Sequence, residues 1–175
     1  MIVELTQEEW EKATKFGKMR TDMHRGTNHT PYYASKRFKI SGKHQDALGV
    51  ACEFAVVKAL GLDPRKCGWV PFSTNKQDFK TPDILGFIEV RRVTESSNPF
   101  TAFSKDAVEG VVLVKAYVPG ADVVDDQLVT DGYVELLGWE YATDVWRKND
   151  GEKARSYAPG KPIEALGALV GAVAA

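Results

Sequence analysis

With 175 residues, 43% hydrophobic and 27% charged, the chain is long enough for one domain with a real core, too short for two ordinary ones and too apolar for disorder. Only Cys52 and Cys67 occur, without a CxxC or a His/Cys zinc spacing, which argues against a disulfide framework or structural zinc. Net charge is -1 but segregated: Lys15 to Gln45 carries eight bases against Asp22, a net +7, whereas Asp106 to Asp144 carries nine acids against Lys115, a net -8.

Met1-Ile2-Val3 runs straight into Glu4, Gln7, Glu8, Glu9 and Glu11, which lacks the basic-then-apolar layout of a signal peptide and predicts a cytoplasmic protein. Asn28-His29-Thr30 therefore fits a glycosylation sequon by chance. Thr6 followed by Glu9 reads as a capping box, and a helix with the narrow apolar stripe Trp10, Ala13 and Phe16 is expected to about Lys18. From Met19 to Lys43 no periodicity is visible, so an irregular basic arm is expected. The bases from Lys15 to Gln45, namely Lys15, Lys18, Arg20, Arg25, Lys36, Arg37, Lys39 and Lys43, make a candidate nucleic-acid surface. Tyr32, Tyr33 and Phe38 either stack on bases or pack the arm onto the domain. His24, His29 and His44 have no spacing that defines a metal site.

Asp46 to Leu60 is the clearest helix, with Ala47, Val50, Ala51, Phe54, Val57 and Leu60 at helical spacing and Gly61 as its stop. Glu53 lies just off that stripe, where its carboxylate either reaches a sheet edge or stays solvated. A turn through Asp63-Pro64 leads to a short strand from Trp69 to Phe72 and a polar loop from Ser73 to Lys80. Thr81 to Val93 reads as strand on both sides of Gly86, with Pro82 at its start. Alternation puts Glu89 and Arg91 on one face and Ile88, Val90 and Arg92 on the other, and a bend at Gly86 would return Asp83 toward Glu89. Thr94 to Pro99 is a loop, Val111 to Val118 a buried strand, Ala121 to Asp131 an acidic loop and Gly132 to Trp139 another strand. A turn or helix follows around Glu140 to Trp146, then a turn at Asn149-Asp150-Gly151. The apolar tail from Pro162 to Ala175 has fourteen residues, fewer than the roughly 20 that cross a bilayer, and reads as a docked or fraying terminus, not a membrane span.

Pro82-Asp83, five residues, then Glu89-Val90-Arg91 resembles the PD-(D/E)xK signature of the restriction-endonuclease-like nuclease superfamily, with arginine in the lysine position. The helix Gly49-Val50-Ala51-Cys52-Glu53-Phe54-Ala55 is similar to the Gly-x-x-x-Glu-x-Ala helix of small phage-encoded members, and the likeness covers roughly residues 42 to 140. It implies an α/β fold with a restriction-endonuclease-like core, a mixed central sheet of about four or five strands flanked by helices. One domain is expected, made of an N-terminal helix and basic arm at 1–43, the core at 44–147 and a C-terminal extension at 148–175. The resemblance further implies a metal-dependent deoxyribonuclease, phage-encoded, acting on branched, flap or free-end DNA, and junction-cutting relatives make a homodimer the expected assembly. Mg2+ or Mn2+ would sit on Asp83, Glu89, the Val90 carbonyl and Glu53, and no organic cofactor is called for. Glu53, Asp83, Glu89 and Arg91 would be catalytic. Guanidinium stays charged and cannot act as a base, so Lys80, Lys105 and Gln77 are candidates for the missing lysine. The alternative is a nuclease-like module without activity that binds DNA or a host protein, in which Arg91 pairs with Asp83 or Glu89 in a metal-free cluster.

Overall fold

The computed structural model describes residues 1–25, 40, 42–69, 81–146 and 153–174. A short strand β1 (Ile2–Glu4) opens the chain and leads into helix α1 (Gln7–Arg25). The capping box forms as its sequence demands: the Glu9 amide donates to Thr6 Oγ1 at 3.2 Å and the Thr6 amide to Glu9 Oε2 at 2.7 Å. Met19 to Arg25 is helical, not part of an irregular arm. Sparse apolar spacing hid this, because the last turns are held by polar contacts to helix α2 (Gly42–Ala59). Arg20 pairs with Glu53, and Thr21 Oγ1 donates to Asp46 Oδ2 at 2.5 Å. Helix α2 likewise begins at Gly42, ahead of the expected Asp46. It is buried nearly all round, and Gly61, at φ 63, ends it with the Leu62 amide returning to the Val57 carbonyl at 3.0 Å.

Residues 81–87 form a tight turn instead of a strand ahead of Gly86. Leu85 and Gly86 take φ values of 54 and 72, so the chain reverses within four residues and Ile84 bridges Ile88. Strand β2 (Ile88–Val93) follows, then β3 (Phe100–Phe103), a 3-10 turn at Ser104–Asp106 and β4 (Val112–Tyr117). Ala121 to Asp131, expected as a loop, is a hairpin of β5 (Asp122–Val124) and β6 (Gln127–Val129). Asp125 and Asp126 supply the positive φ of its two-residue turn, a conformation that aspartate tolerates. Next come β7 (Tyr133–Tyr141), α3 (Ala142–Trp146), β8 (Lys153–Ser156) and α4 (Ile163–Ala174).

The architecture is α/β. Among the described residues, four strands make a mixed central sheet in the order β1-β7-β4-β2, with β2 and β4 parallel and the other neighbours antiparallel. One face carries the main core, in which Ile88, Val112, Val114 and Ala116 meet α2, with α1 and α4 alongside. The opposite face has a smaller core of Phe100, Leu113, Ala142, Val145 and Ala154 under the antiparallel ribbon β3–β8. Among the described strands β2 is at the edge, and the preceding turn and the ribbon are brought to its outer side. Cys52 and Cys67 are buried free thiols.

Candidate active-site cleft at the edge of strand β2

The turn at Leu85-Gly86 folds Asp83 back against β2, where its Oδ2 accepts the Val90 amide at 2.8 Å. Val90 therefore turns its amide away from β4, and in an extended strand its carbonyl shares that outer side. Pro82 at the head of the turn has no amide to leave unsatisfied there. One residue earlier on β2, Glu89 is buried on the other face of the sheet, as alternation requires, together with Arg91.

Arg91 Nη1 lies 3.0 Å from Glu89 Oε1, and Nη2 pairs with Asp106 Oδ2. The guanidinium also lies over the Phe103 ring at 5.0 Å, while its Nε is buried without a hydrogen-bond partner. Asp106 is buried and accepts the Phe103 amide at 2.9 Å, which fixes the 3-10 turn after β3. Lys105, on the same turn, reaches Glu89 Oε1 at 3.4 Å and Asp106 Oδ1 at 3.5 Å, with half of its side chain exposed. Sequence reasoning named Lys105 as a candidate and counted Asp106 only among the nine acids from Asp106 to Asp144.

From the α2 side comes Glu53. Arg20 donates Nη1 to Oε1 at 2.8 Å and Nη2 to Oε2 at 2.7 Å, and Trp69 Nε1 donates to Oε2 at 2.8 Å. This fork-to-carboxylate geometry is the strongest ion pair available to these side chains. Arg92 on β2 pairs in the same wall with Gln45. Glu53, Asp83, Glu89, Val90 and Arg91 all line one cleft of about 690 Å³, whose far side is made by Thr101, Phe103, Arg155 and Tyr157. Arg155 and Tyr157 were not singled out in the sequence, because nothing local says that the segment after residue 152 returns to the sheet edge.

The electrostatics follow from this packing. Asp83's carboxyl is pushed well above the usual carboxylate range, first by burial and then by Glu53 and Glu89, with the Val90 amide and Arg20 pulling the other way. For Arg20, burial opposes the charge, yet Glu53, Asp83 and Asp46 outweigh it and raise its pKa. Burial drives the Cys52 thiol up to about 12, which removes it as a nucleophile. Asp83, Glu89 and the Val90 carbonyl offer oxygen, the donor that a hard divalent cation takes, and a cation beside Asp83 would favour the ionised carboxylate that burial and its acidic neighbours disfavour. Among the described residues, no group of three or more His, Cys, Asp or Glu side chains stands ready-made for a metal, since Glu53 is committed to Arg20 and Trp69.

The basic segment is less uniform in space than in sequence. Lys15 is exposed, Lys18 pairs with Asp22 at 2.7 Å, Arg20 is turned inward and Lys43 pairs with Asp126 of the β5–β6 hairpin. That last pair ties the acidic half of the chain to the basic one. Lys36, Arg37 and Lys39, with His29, Tyr32, Tyr33, Phe38, Gln77, Lys80, most of the strand expected from Trp69 to Phe72 and the turn at Asn149-Asp150-Gly151, lie outside the described residues, as do the side chains of His24 and Arg25. His44 is buried on α2. Among the described residues no helix is long and apolar enough to cross a membrane. No known protein family, characterised protein or solved structure matches this chain.

Proposed function

We propose that this chain is a metal-dependent deoxyribonuclease with a restriction-endonuclease-like core, hydrolysing phosphodiester bonds at the β2 edge. The observation that carries the reading is the convergence of Asp83, Glu89 and the Val90 edge in one cleft, with Asp83's carboxyl raised by burial and then by its acidic neighbours. Asp83, Glu89 and the Val90 carbonyl would hold Mg2+ or Mn2+, and Glu53 would act behind them by fixing Arg20. The bound ion supplies positive charge to the scissile phosphate and to the attacking water. Arg91, permanently charged, holds Glu89 and Asp106 in place and offsets negative charge on the phosphate. Lys105 is the half-exposed cation beside Glu89 and would orient the water that arginine cannot deprotonate.

Purified protein incubated with plasmid, single-stranded and branched DNA in Mg2+, Mn2+ or EDTA tests this. Cleavage is expected with either metal, none with EDTA, and a loss of at least about 100-fold in Asp83→Asn and Glu89→Gln. Cleavage that survives both substitutions would falsify the assignment.

One observation favours a second reading. Glu89 and Asp106 are already neutralised by Arg91 and Lys105, the metal-free pairing that a binding module without hydrolytic activity would keep. Under that reading the wild type binds DNA with a steep salt dependence and never cuts it.

A further inference from the structure

We propose that Tyr157 and Arg155 form a subsite on the rim of the cleft for an unpaired base and its phosphate, so that the preferred ligand is single-stranded DNA or a single-stranded segment beside a duplex. The inference rests on the phosphodiesterase reading for its class of ligand, and on separate residues for its location. Strands β3 and β8 pair antiparallel with Thr101 opposite Arg155. Phe100, Ala102, Ala154 and Ser156 are buried on the core side of this ribbon, while Thr101, Phe103 and Arg155 line the cleft. The ribbon thus has one dry face and one wet face. The wet face leads from Phe103, beneath the Arg91 guanidinium, past Thr101 and Arg155 to Tyr157 at the mouth.

Tyr157 is 75% exposed, and it is the sole aromatic among the exposed large hydrophobic side chains of the described residues. A single exposed ring needs no explanation by itself. Its place does: the ring lines the cleft that holds Asp83 and Glu89, two residues from Arg155, an exposed residue of the same ribbon. An aromatic face stacks on any base, and a guanidinium forks onto phosphate, the two contacts by which proteins track single strands. Size selects against a whole duplex. A cube of the cleft's volume is roughly 9 Å on a side, narrower than a duplex whose major groove alone is about 12 Å wide, so the space suits a nucleotide or two and a duplex can only lie across the mouth.

Fluorescence anisotropy in EDTA, with the full chain and labelled oligothymidine or a labelled duplex of equal length, tests the subsite without cleavage. Tyr157→Ala is expected to weaken single-strand binding roughly tenfold and to leave duplex binding unchanged, while Tyr157→Phe, which keeps the ring, stays within about twofold of wild type. Arg155→Ala should lower the salt slope of single-strand binding by about one phosphate contact. The proposal is overturned if the wild type fails to bind oligothymidine, if Tyr157→Ala binds it as the wild type does, or if Tyr157→Phe loses as much as Tyr157→Ala. A chain that cuts no DNA yet shows the ring-dependent preference keeps this inference and loses the hydrolase reading. A chain that cuts without the preference does the reverse.

Discussion

Asp83 sits where its own charge is unwelcome, partly enclosed and close to Glu53 and Glu89. A carboxyl whose folded pKa lies above its unfolded value of about 3.9 binds its proton more tightly in the folded state. Its contribution to stability is therefore full below that value and is lost as pH rises through the raised pKa. Asparagine cannot ionise and can still accept the Val90 amide, so Asp83→Asn is expected to melt higher than wild type at neutral pH in EDTA. The gap should be on the order of 2–4 °C for each kcal/mol relieved and should close near pH 4. A scanning-fluorimetry series across pH checks this, and equal melting at pH 7 would show that the charge carries no penalty. Adding Mn2+ should raise the wild type and leave the variant unmoved, because a ligand stabilises only the form that binds it. Arg91 poses the opposite case. It lies between two buried carboxylates, so Arg91→Ala leaves both with only the half-exposed Lys105 and is expected to cost about 3 kcal/mol in urea unfolding. Arg91→Lys, which keeps a charge but loses the fork, should cost less than Arg91→Ala.

At the level of elements, α1 and α2 approach each other closely at Gly17. A Cβ at Gly17 would lie 2.3 Å from the Ala47 nitrogen and 2.5 Å from its Cα, backbone atoms that cannot move without shifting a helix. Alanine is worth up to about 1 kcal/mol over glycine in a helix, yet overpacking of this kind costs about 1–3 kcal/mol. Gly17→Ala is therefore expected to lower the denaturant midpoint. Gly49→Ala, whose Cβ would meet nothing nearer than Arg20 Nη1 at 3.9 Å, should hold or raise it. Which elements the sequence announced follows the same logic of local against distant causes. Helix α2, strands β4 and β7 and the Thr6 capping box were legible because their signals lie within one turn or one strand. So was the pairing of Glu89 with Arg91 on one face. Strand β1 and the ribbon β3–β8 were not, since strands of three or four residues exist through partners far along the chain: Val3 against Val134, Ala102 against Ala154. The hairpin β5–β6 was hidden by acids that disfavour strands in general but suit the tip of a two-residue turn. In the candidate site, Asp83 and Glu89 stood out as acids in an apolar run, whereas the Arg20–Glu53 pair and Asp106 come together only in space.

For the whole molecule, β7 is the strand on which both ends of the chain converge. The N-terminal amine donates to the Leu136 carbonyl at 2.8 Å and the Leu136 amide to the Met1 carbonyl at 2.8 Å. At the other end, Trp139 exchanges backbone hydrogen bonds with Lys161 at 3.0 and 2.8 Å, and its Nε1 donates to the Pro162 carbonyl at 2.8 Å. Helix α4 then sets Ile163, Leu166 and Val170 into the main core. Burying three such side chains contributes roughly 5–9 kcal/mol, as much as the entire net stability of many domains, about 5–15 kcal/mol. A chain ending at residue 160 should therefore show no cooperative melt by circular dichroism at any temperature, although it would keep every candidate catalytic residue. If it melts cooperatively at the wild-type midpoint, α4 is an appendage and the core closes without it. The consequence reaches the cleft, because the segment that carries α4 also carries β8, Arg155 and Tyr157. Losing the docking of α4 should free the ribbon's second strand from the sheet edge, so DNA binding by the truncated chain should fall even where Asp83 and Glu89 are intact.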